Sequence, residues 1–533
     1  MSKYYIFLII LVVSFYQPVQ AQTTLNSDTI YLQTGEQDIS FNFPETSFYK
    51  VNFYLYTRLN ENCHFTNGEF LSFKIPNDQS NSDISKIEFA RVYLASYSDN
   101  RQEGNEIIYE FDLTLWQSLL ERNTSVTVDF SGKTTDLEMA ISFHLEQGIH
   151  PVNVIGIFPL WQSSIDGFAY GKNGVSEELL PTKNIELPKE TSSAFVNILV
   201  SGTKKQNSDA AASRFYFLNI NGEEVAKRSI WRDDCGLNPI YPQHENWEMN
   251  HHNWCSGLRV NPLAHYIDPN LLNDKVLDID LRFQKDYYEN SGVESYITSA
   301  VLFALGEPNE ELNVSISEII APNIDLWHHR YNPICGSPII LIQNNGKETV
   351  KSITFNYGYN YDTDNKYRWK GELGFMEQEI VYLPSLNWYF YERQDEPESF
   401  TAHVTTVNGK EKAFNGGKKT SIMELAPVYP YRLAFEVQTD DGAQYNGLEI
   451  YNEDGKVVFV SEELQANKKH QFELNLVPGC YEMIFYDEEG NGIQLTDNKA
   501  FCLRIKDRKK GLVLKEFHGD FGLEIREQFM IFR

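Results

Sequence analysis

Trp161-Gln-Ser-Ser-Ile-Asp-Gly-Phe-Ala-Tyr-Gly-Lys172 opens the stretch of this chain that decides the fold, Pro151 to Asn261. The stretch continues through Asn184-Ile-Glu-Leu-Pro188 and closes with Cys235-Gly-Leu-Asn-Pro239 and Asn253-Trp-Cys-Ser-Gly257. Between these, Ala194–Val200 sets Phe195, Asn197 and Leu199 opposite Val196, Ile198 and Val200. That period of two predicts a strand, and Arg214–Ile220 reads the same way. Cys235 and Cys255 bracket a Pro- and Asn-rich loop. In an exported protein this pattern predicts a disulfide stapling the loop onto a sheet.

Outward from this stretch the same texture continues. Aromatic residues make up 14% of the 533, including 31 Tyr and 34 Phe, and short alternating Leu, Ile and Val runs are punctuated by Asn-Gly, Asp-Gly and Gly-Asn turns. The pattern is all-β, and the length is too great for one core, so three to four domains are expected. A formal net charge of −28 argues against a nucleic-acid partner and gives no reason to expect binding to an anionic membrane. Residues 1–21 read as a signal peptide: Lys3 supplies positive charge, Tyr4–Tyr16 an apolar run, and Val19-Gln-Ala21 a small-residue cleavage site. The run is too short for a stable membrane span, so a secreted, cell-surface or periplasmic protein is expected, with its cysteines in an oxidising compartment.

The order Ser-Ser-Ile-Asp-Gly-x-x-Tyr-Gly-Lys, Asn-Ile-x-Leu-Pro, Ser201-Gly202, Cys-x-x-Asn-Pro and Asn-Trp-Cys-x-Gly resembles the second domain of the peptide-N-glycosidase F family, over roughly residues 40–308. The resemblance implies two adjacent jelly-roll sandwiches, residues 23–150 and 151–308. It also implies that an N-linked glycan or glycoprotein is the partner, with no cofactor. The family cleaves the side-chain amide of glycosylated asparagine, which requires a carboxylate acting as general acid or base beside that amide.

In the first sandwich, strands are expected at Asp38–Pro44, Tyr49–Leu59, Ser85–Ala95, Ser125–Phe130 and Leu137–Leu145, with a strand end and helical turn across Phe111–Leu120. The family's Cys-Asp-Glu-Trp-Asp-Arg run, whose second aspartate is catalytic, is not found. Aligned on Phe89-Ala-Arg-Val-Tyr-Leu94, Ile87 stands where that aspartate belongs and Glu88 where the arginine belongs, with Asp83 four residues before Ile87. The second family acid falls at Ser131, with Asp129 its nearest carboxylate. The third falls in Asp209-Ala-Ala-Ala-Ser213, which has no glutamate. Asp83, Glu88 and Asp129 are therefore the candidate replacement catalytic carboxylates. The bland alternative is that they are solvated groups at strand ends.

In the second sandwich Ser164, Ile165 and Gly202 match positions bordering the family's glycan cleft, and His251 stands where the family has an arginine. Trp247 and Trp254 read either as platforms for a sugar face or as a cover for the disulfide. Asp166-Gly167 reads as a tight turn. The fold is shared with copper monooxygenases, and His244, His251, His252 and His265 invite that comparison. Adjacent His251 and His252 would point to opposite sides of a strand, however, and no His-x-His or methionine ligand pattern appears, so no metal site is expected.

The stretch Ala304–Pro322 reads as a boundary. Two smaller β-sandwich modules are expected beyond it: 323–427, of immunoglobulin-like or adhesion type, and 428–533. Asp487-Glu-Glu-Gly-Asn-Gly492 reads as a hairpin turn rather than a calcium loop, because further oxygen ligands are missing. Cys480 and Cys502 sit in strand-like runs on either side of it and are expected to pair, while Cys63 and Cys335 stay unassigned. Two functions remain open. One is a glycan-releasing amidase rebuilt on new carboxylates. The other is a non-catalytic glycan- or glycopeptide-binding protein.

Overall fold

The computed structural model describes residues 22–59, 68–77, 83–95, 106–120, 123–132, 137–169, 178–204, 214–240, 243, 252–284, 293–360, 362–386, 398–493 and 501–532. Eight sheets, all but one of their pairings antiparallel, stack as four sandwiches. In the first, one sheet runs Gln22–Asn26, Leu137–Gln147, Phe48–Leu59, Glu106–Asp112. The facing sheet runs Gly35–Phe41, Thr124–Phe130, Phe70–Pro76, Lys86–Tyr93. Neighbours in space are mostly distant in sequence, the crossing pattern of a jelly roll. Phenylalanines at alternate positions fill the gap. Phe53 meets Phe73, Phe89 and Phe143 with ring centroids 5.2, 5.2 and 5.3 Å away. Edge-to-face pairs of this kind add about 0.5–1.5 kcal/mol each beyond the apolar area they bury.

The second sandwich pairs the sheet Val152–Gln162, Val293–Pro308, Ser193–Lys204, Leu263–Tyr266 with the sheet Lys183–Glu186, Val276–Phe283, Phe215–Ile220, Glu223–Ser229. It docks against the first. Strand Glu106–Asp112 leads into a 3-10 turn, Thr114–Leu119, and Trp116 in that turn sits edge-on to Phe303 at 5.0 Å. Phe303 in turn stacks on Phe195. The apolar core of the first sandwich is thus continuous with side chains of the second.

The third sandwich begins earlier than the sequence pattern suggests. Val314–Ala321, inside the stretch read as a boundary, pairs with Ile339–Asn344 as a strand of that sandwich. The fourth is built on Glu524–Ile531 and Gly479–Asp487 in one sheet and Arg432–Gln438 and Leu503–Asp507 in the other.

Two disulfides are present among the described residues. Cys235–Cys255 forms as expected. The pairing of Cys480 with Cys502 is wrong: Cys480 bonds to Cys335, and Cys502 is buried, its Sγ lying 2.9 Å from the His518 carbonyl. The chain crosses from one sheet of the fourth sandwich to the other between the two positions. Nearness in sequence therefore puts them in opposing sheets, and Cys480 is left to reach the third sandwich. Cys63 lies outside the described residues.

Candidate functional site

Strand Phe70–Pro76 explains where polar chemistry collects. Leu71, Phe73 and Ile75 face the core of the first sandwich, so Ser72 and Lys74 must face away from it. Both are nevertheless buried, 3% and 8% exposed, because the second sandwich lies close to that outer face. The neighbouring strand carries one extra residue opposite Phe73 and Lys74: Ala90 pairs with Phe73 and Glu88 with Lys74, leaving Phe89 as a bulge. In a regular strand, residues three apart point to opposite faces. The bulge turns Glu88 and Arg91 onto the same one.

There they form a bidentate pair, Arg91 Nε to Glu88 Oε1 at 2.9 Å and Nη2 to Oε2 at 2.6 Å, with Arg91 wholly buried. Ser72 donates a third bond to Glu88 Oε1 at 2.8 Å. The remaining Arg91 nitrogen reaches across the seam to Ser201 Oγ (2.8 Å) and the Ile297 carbonyl (2.9 Å), and Tyr93 joins Ser201 from the first-sandwich side. Gln162 of the second sandwich accepts from the Glu88 amide and donates to the Lys86 carbonyl.

A second cluster follows on the same sheet face. Lys74 Nζ binds Asp129 at 2.6 Å and Glu36 at 3.0 Å, while Lys86 bridges Glu36 and Asp38. Hydrogen bonds and charge from the lysines hold the Glu36 carboxyl below its ordinary pKa against the cost of burial. Burial opposes the charge on Lys74, but its bonds to Asp129 and Glu36 outweigh that and raise its pKa.

Of the three candidate carboxylates, the structure therefore places Glu88 and Asp129 on one sheet face, each clasped by a cation. Neither is a solvated group at a strand end. Asp83 is exposed, just before strand Lys86–Tyr93. The partners Arg91, Lys74, Ser72 and Gln162 were not singled out from the sequence, and Ser201 entered only as part of the Ser201-Gly202 motif. The signal available was a lone arginine inside the apolar run Phe89–Leu94.

At the rim, Trp254 stacks on Tyr93 at 3.9 Å with the planes 8° apart, and its Nε1 donates to the Gly202 carbonyl at 2.9 Å. Both rings are buried, in a cluster with Phe70, Leu199, Val260 and Ile297, and Ile165 packs on its edge. Trp254 thus joins the two sandwiches and is not open to a sugar. Ile165 and Gly202 come together around it. Ser164 is exposed on the turn closed by Gly167, whose amide bonds to the Ser164 carbonyl. Gly167 has φ +76°, and a Cβ there would lie 2.7 Å from the Tyr296 carbonyl oxygen, so only glycine fits. His251, His244, Trp247 and Asp209 lie outside the described residues. His265 is inside the second sandwich against the Tyr216 hydroxyl (2.6 Å), where burial pushes its pKa down to about 4. Among the described residues, no three His, Cys, Asp or Glu side chains are placed to hold a metal ion.

The first two sandwiches are thus side-by-side jelly rolls with a charged seam sealed between them. Residues 170–302 match the family model for the peptide-N-glycosidase F C-terminal domain. The peptide-N(4)-(N-acetyl-beta-D-glucosaminyl)asparagine amidase F of Elizabethkingia miricola is 26% identical over 221 residues, 39% of this chain and 61% of that protein. The chain thus covers about three fifths of the length of this curated relative. Among solved structures, PNGase F described as a glycosylasparaginase from Flavobacterium meningosepticum aligns at 20% identity and a TM-score of 0.46, over 54% of this chain and 96% of that one. PNGF-II aligns at 13% identity and a TM-score of 0.43, over 54% and 65%. Residues 170–302 are therefore similar to the C-terminal domain of the peptide-N-glycosidase F family.

Proposed function

We propose that this protein recognises N-linked glycans of glycoproteins through its first two sandwiches and does not hydrolyse the linkage. The observation that carries the reading is the pairing of Glu88 with Arg91 and of Asp129 with Lys74. A general acid or base must come within hydrogen-bond reach of the proton it transfers, and its lone pairs must be available. Glu88 already accepts three bonds inside the seam, and freeing it would strand a buried guanidinium. Ser164, Ile165 and Gly202 supply the recognition rim. The two disulfides fit an exported protein.

The test is glycan release from a denatured N-glycoprotein by the wild type and by Asp83→Ala, Glu88→Ala and Asp129→Ala, alongside glycopeptide binding. The expected result is no release with binding retained. Release that one substitution abolishes in a folded variant would overturn the reading. Loss through Asp83→Ala in particular would identify the exposed member of the three as a rebuilt catalytic group.

A further inference from the structure

A recess lies away from the seam, between the third and fourth sandwiches. It has a volume of about 570 Å³, within the range of small-molecule sites. Its floor is the outer face of the sheet containing Gly479–Asp487 and Glu524–Ile531. Tyr481, Met483 and Phe485 point into the core there, so Glu482 and Ile484 point out, and Arg526 and Gln528 stand beside them in register. The opposite wall belongs to the third sandwich, with Tyr331 and Tyr382.

We propose that this cleft binds an uncharged oligosaccharide. Three features point to that chemistry. First, Tyr331 and Tyr382 are 46% and 64% exposed at the mouth, and Tyr451 stands over the floor with its hydroxyl tied to Glu449. Aromatic faces carry a partial negative charge, which suits the polarised C–H face of a pyranose ring.

Second, the floor offers hydrogen-bond donors and acceptors that are already fixed in place. Arg526 is held by Glu524 and by Glu482 (Nη1 to Oε1, 3.3 Å), and Gln528 donates to the same Glu482 oxygen at 3.2 Å. A ligand rich in hydroxyls can bridge such groups without first ordering them. Third, the charges nearly cancel: the lining holds two arginines, Arg330 and Arg526, against three glutamates, Glu453, Glu482 and Glu524. Each arginine has protein acceptors, which disfavours a phosphate or a sulfated glycan, and the polar floor disfavours an apolar ligand.

The spacing of the two walls is fixed covalently. The Cys335–Cys480 disulfide joins them at the cleft's edge, and Gln528 Oε1 accepts from the Cys335 and Gly336 amides, both at 2.9 Å. A preformed site of this kind does not rest on the function read for the first two sandwiches.

The experiment uses the full chain and fluorescently labelled oligomannose glycan, maltohexaose and xylohexaose as probes, read by anisotropy, with a hyaluronan hexasaccharide as the anionic comparison. At least one neutral probe is expected to bind more tightly than the hyaluronan. Tyr382→Ala should weaken that binding about tenfold, the scale of one lost stacking contact with its buried area, and Tyr382→Phe should retain it. Tyr382 is exposed, so folding is not at stake. Ser164→Trp, on the rim of the first two sandwiches, should weaken only oligomannose binding at that rim and leave the Tyr382-dependent binding of maltohexaose or xylohexaose in place. No binding of any neutral probe below about 1 mM, or binding indifferent to Tyr382→Ala, overturns the proposal. Binding that only Ser164→Trp removes would also overturn it, while supporting the reading of the first two sandwiches. Failure of that earlier reading alone would leave the Tyr382 effect in place.

Discussion

The side chain that most constrains this molecule is Arg91. With no exposure, its charge is tolerated only because Glu88 neutralises it and Ser201 and the Ile297 carbonyl take the remaining donor. Removing one member of a buried pair leaves the other uncompensated, at a cost of about 3–5 kcal/mol. Glu88→Ala should therefore lower the denaturant midpoint of the first two sandwiches by that scale, whereas Ser201→Ala should cost only about 1 kcal/mol. A Glu88 that served catalysis alone would leave the midpoint unmoved. A buried and a half-buried histidine, His265 and His329, give a pH dependence at the same scale. Burial pushes His265 down to about 4, and His329 likewise, against the pull of Asp234. Their folded pKa values lie below the ordinary 6.5, so the unfolded chain binds more protons between these limits. Their contribution to stability is complete above about pH 6.5 and is lost as pH falls towards 4. Thermal midpoints measured from pH 7 to 4 should fall across that window, and His265→Phe should flatten the fall. The arginine was visible in the sequence as a polar residue in an apolar run. Its partner was not, because Glu88 shares its face only through a bulge that period-two reading cannot register.

At the scale of elements, the turn Asp487–Gly492 shows what a carboxylate in a hairpin is used for. Asp487 is buried, and it accepts from the amides of Glu489 (3.3 Å), Asn491 (2.8 Å) and Gly492 (2.8 Å) and from Asn446 Nδ2 (3.1 Å). Asp487→Ala should cost at least about 2–3 kcal/mol, since bonds to a charged acceptor are worth roughly 1.5–3 each and the amides would lose theirs together. Millimolar calcium should leave the wild-type midpoint unchanged, because the carboxylate oxygens already serve the turn. A rise of several degrees would mean that the turn is a cation site. Strands and turns such as this one were legible because alternation and Gly-rich punctuation are local. Which strands share a sheet is not local. Val-Ser-Ile-Ser-Glu-Ile-Ile-Ala, residues 314–321, reads as a strand but follows the charged stretch Gly306–Leu312. Gly306–Pro308 still belong to strand Val293–Pro308, and only the pairing of 314–321 with Ile339–Asn344 reveals that segment as part of the third sandwich. The disulfide of Cys480 was misjudged for the same reason.

At the scale of the whole molecule, the last two sandwiches are not trailing attachments. The short turn Cys235–Leu237 beside the Cys235–Cys255 disulfide is seated on the fourth sandwich: the Gly236 amide donates to the Asp520 carbonyl at 2.8 Å, and Leu237 packs on that sandwich's core. Arg330 reaches the Phe521 and Glu524 carbonyls, and Trp327 lies under both Arg232 and Arg259. The contact at Gly236 is close. A Cβ there would lie 2.3 Å from the Asp520 oxygen, and the obstruction is backbone, which cannot rotate away. Gly236 has an ordinary negative φ, so a larger residue strains nothing in its own loop and acts through this approach alone. Gly236→Val should push the fourth sandwich off the second while leaving the Cys235–Cys255 bond intact. The Cys335–Cys480 bond, closing a 145-residue separation, should keep the fourth sandwich joined to the third. The expected signature is a larger radius of gyration by small-angle scattering and faster proteolysis between the second and fourth sandwiches. Adding Cys335→Ser should then release the third from the fourth, with a further loss of stability of up to about 5 kcal/mol on the chain-entropy estimate for a loop of that length. If the sandwiches were independent domains on a string, Gly236→Val would leave the scattering curve of the wild type unchanged, and only the cysteine substitution would register.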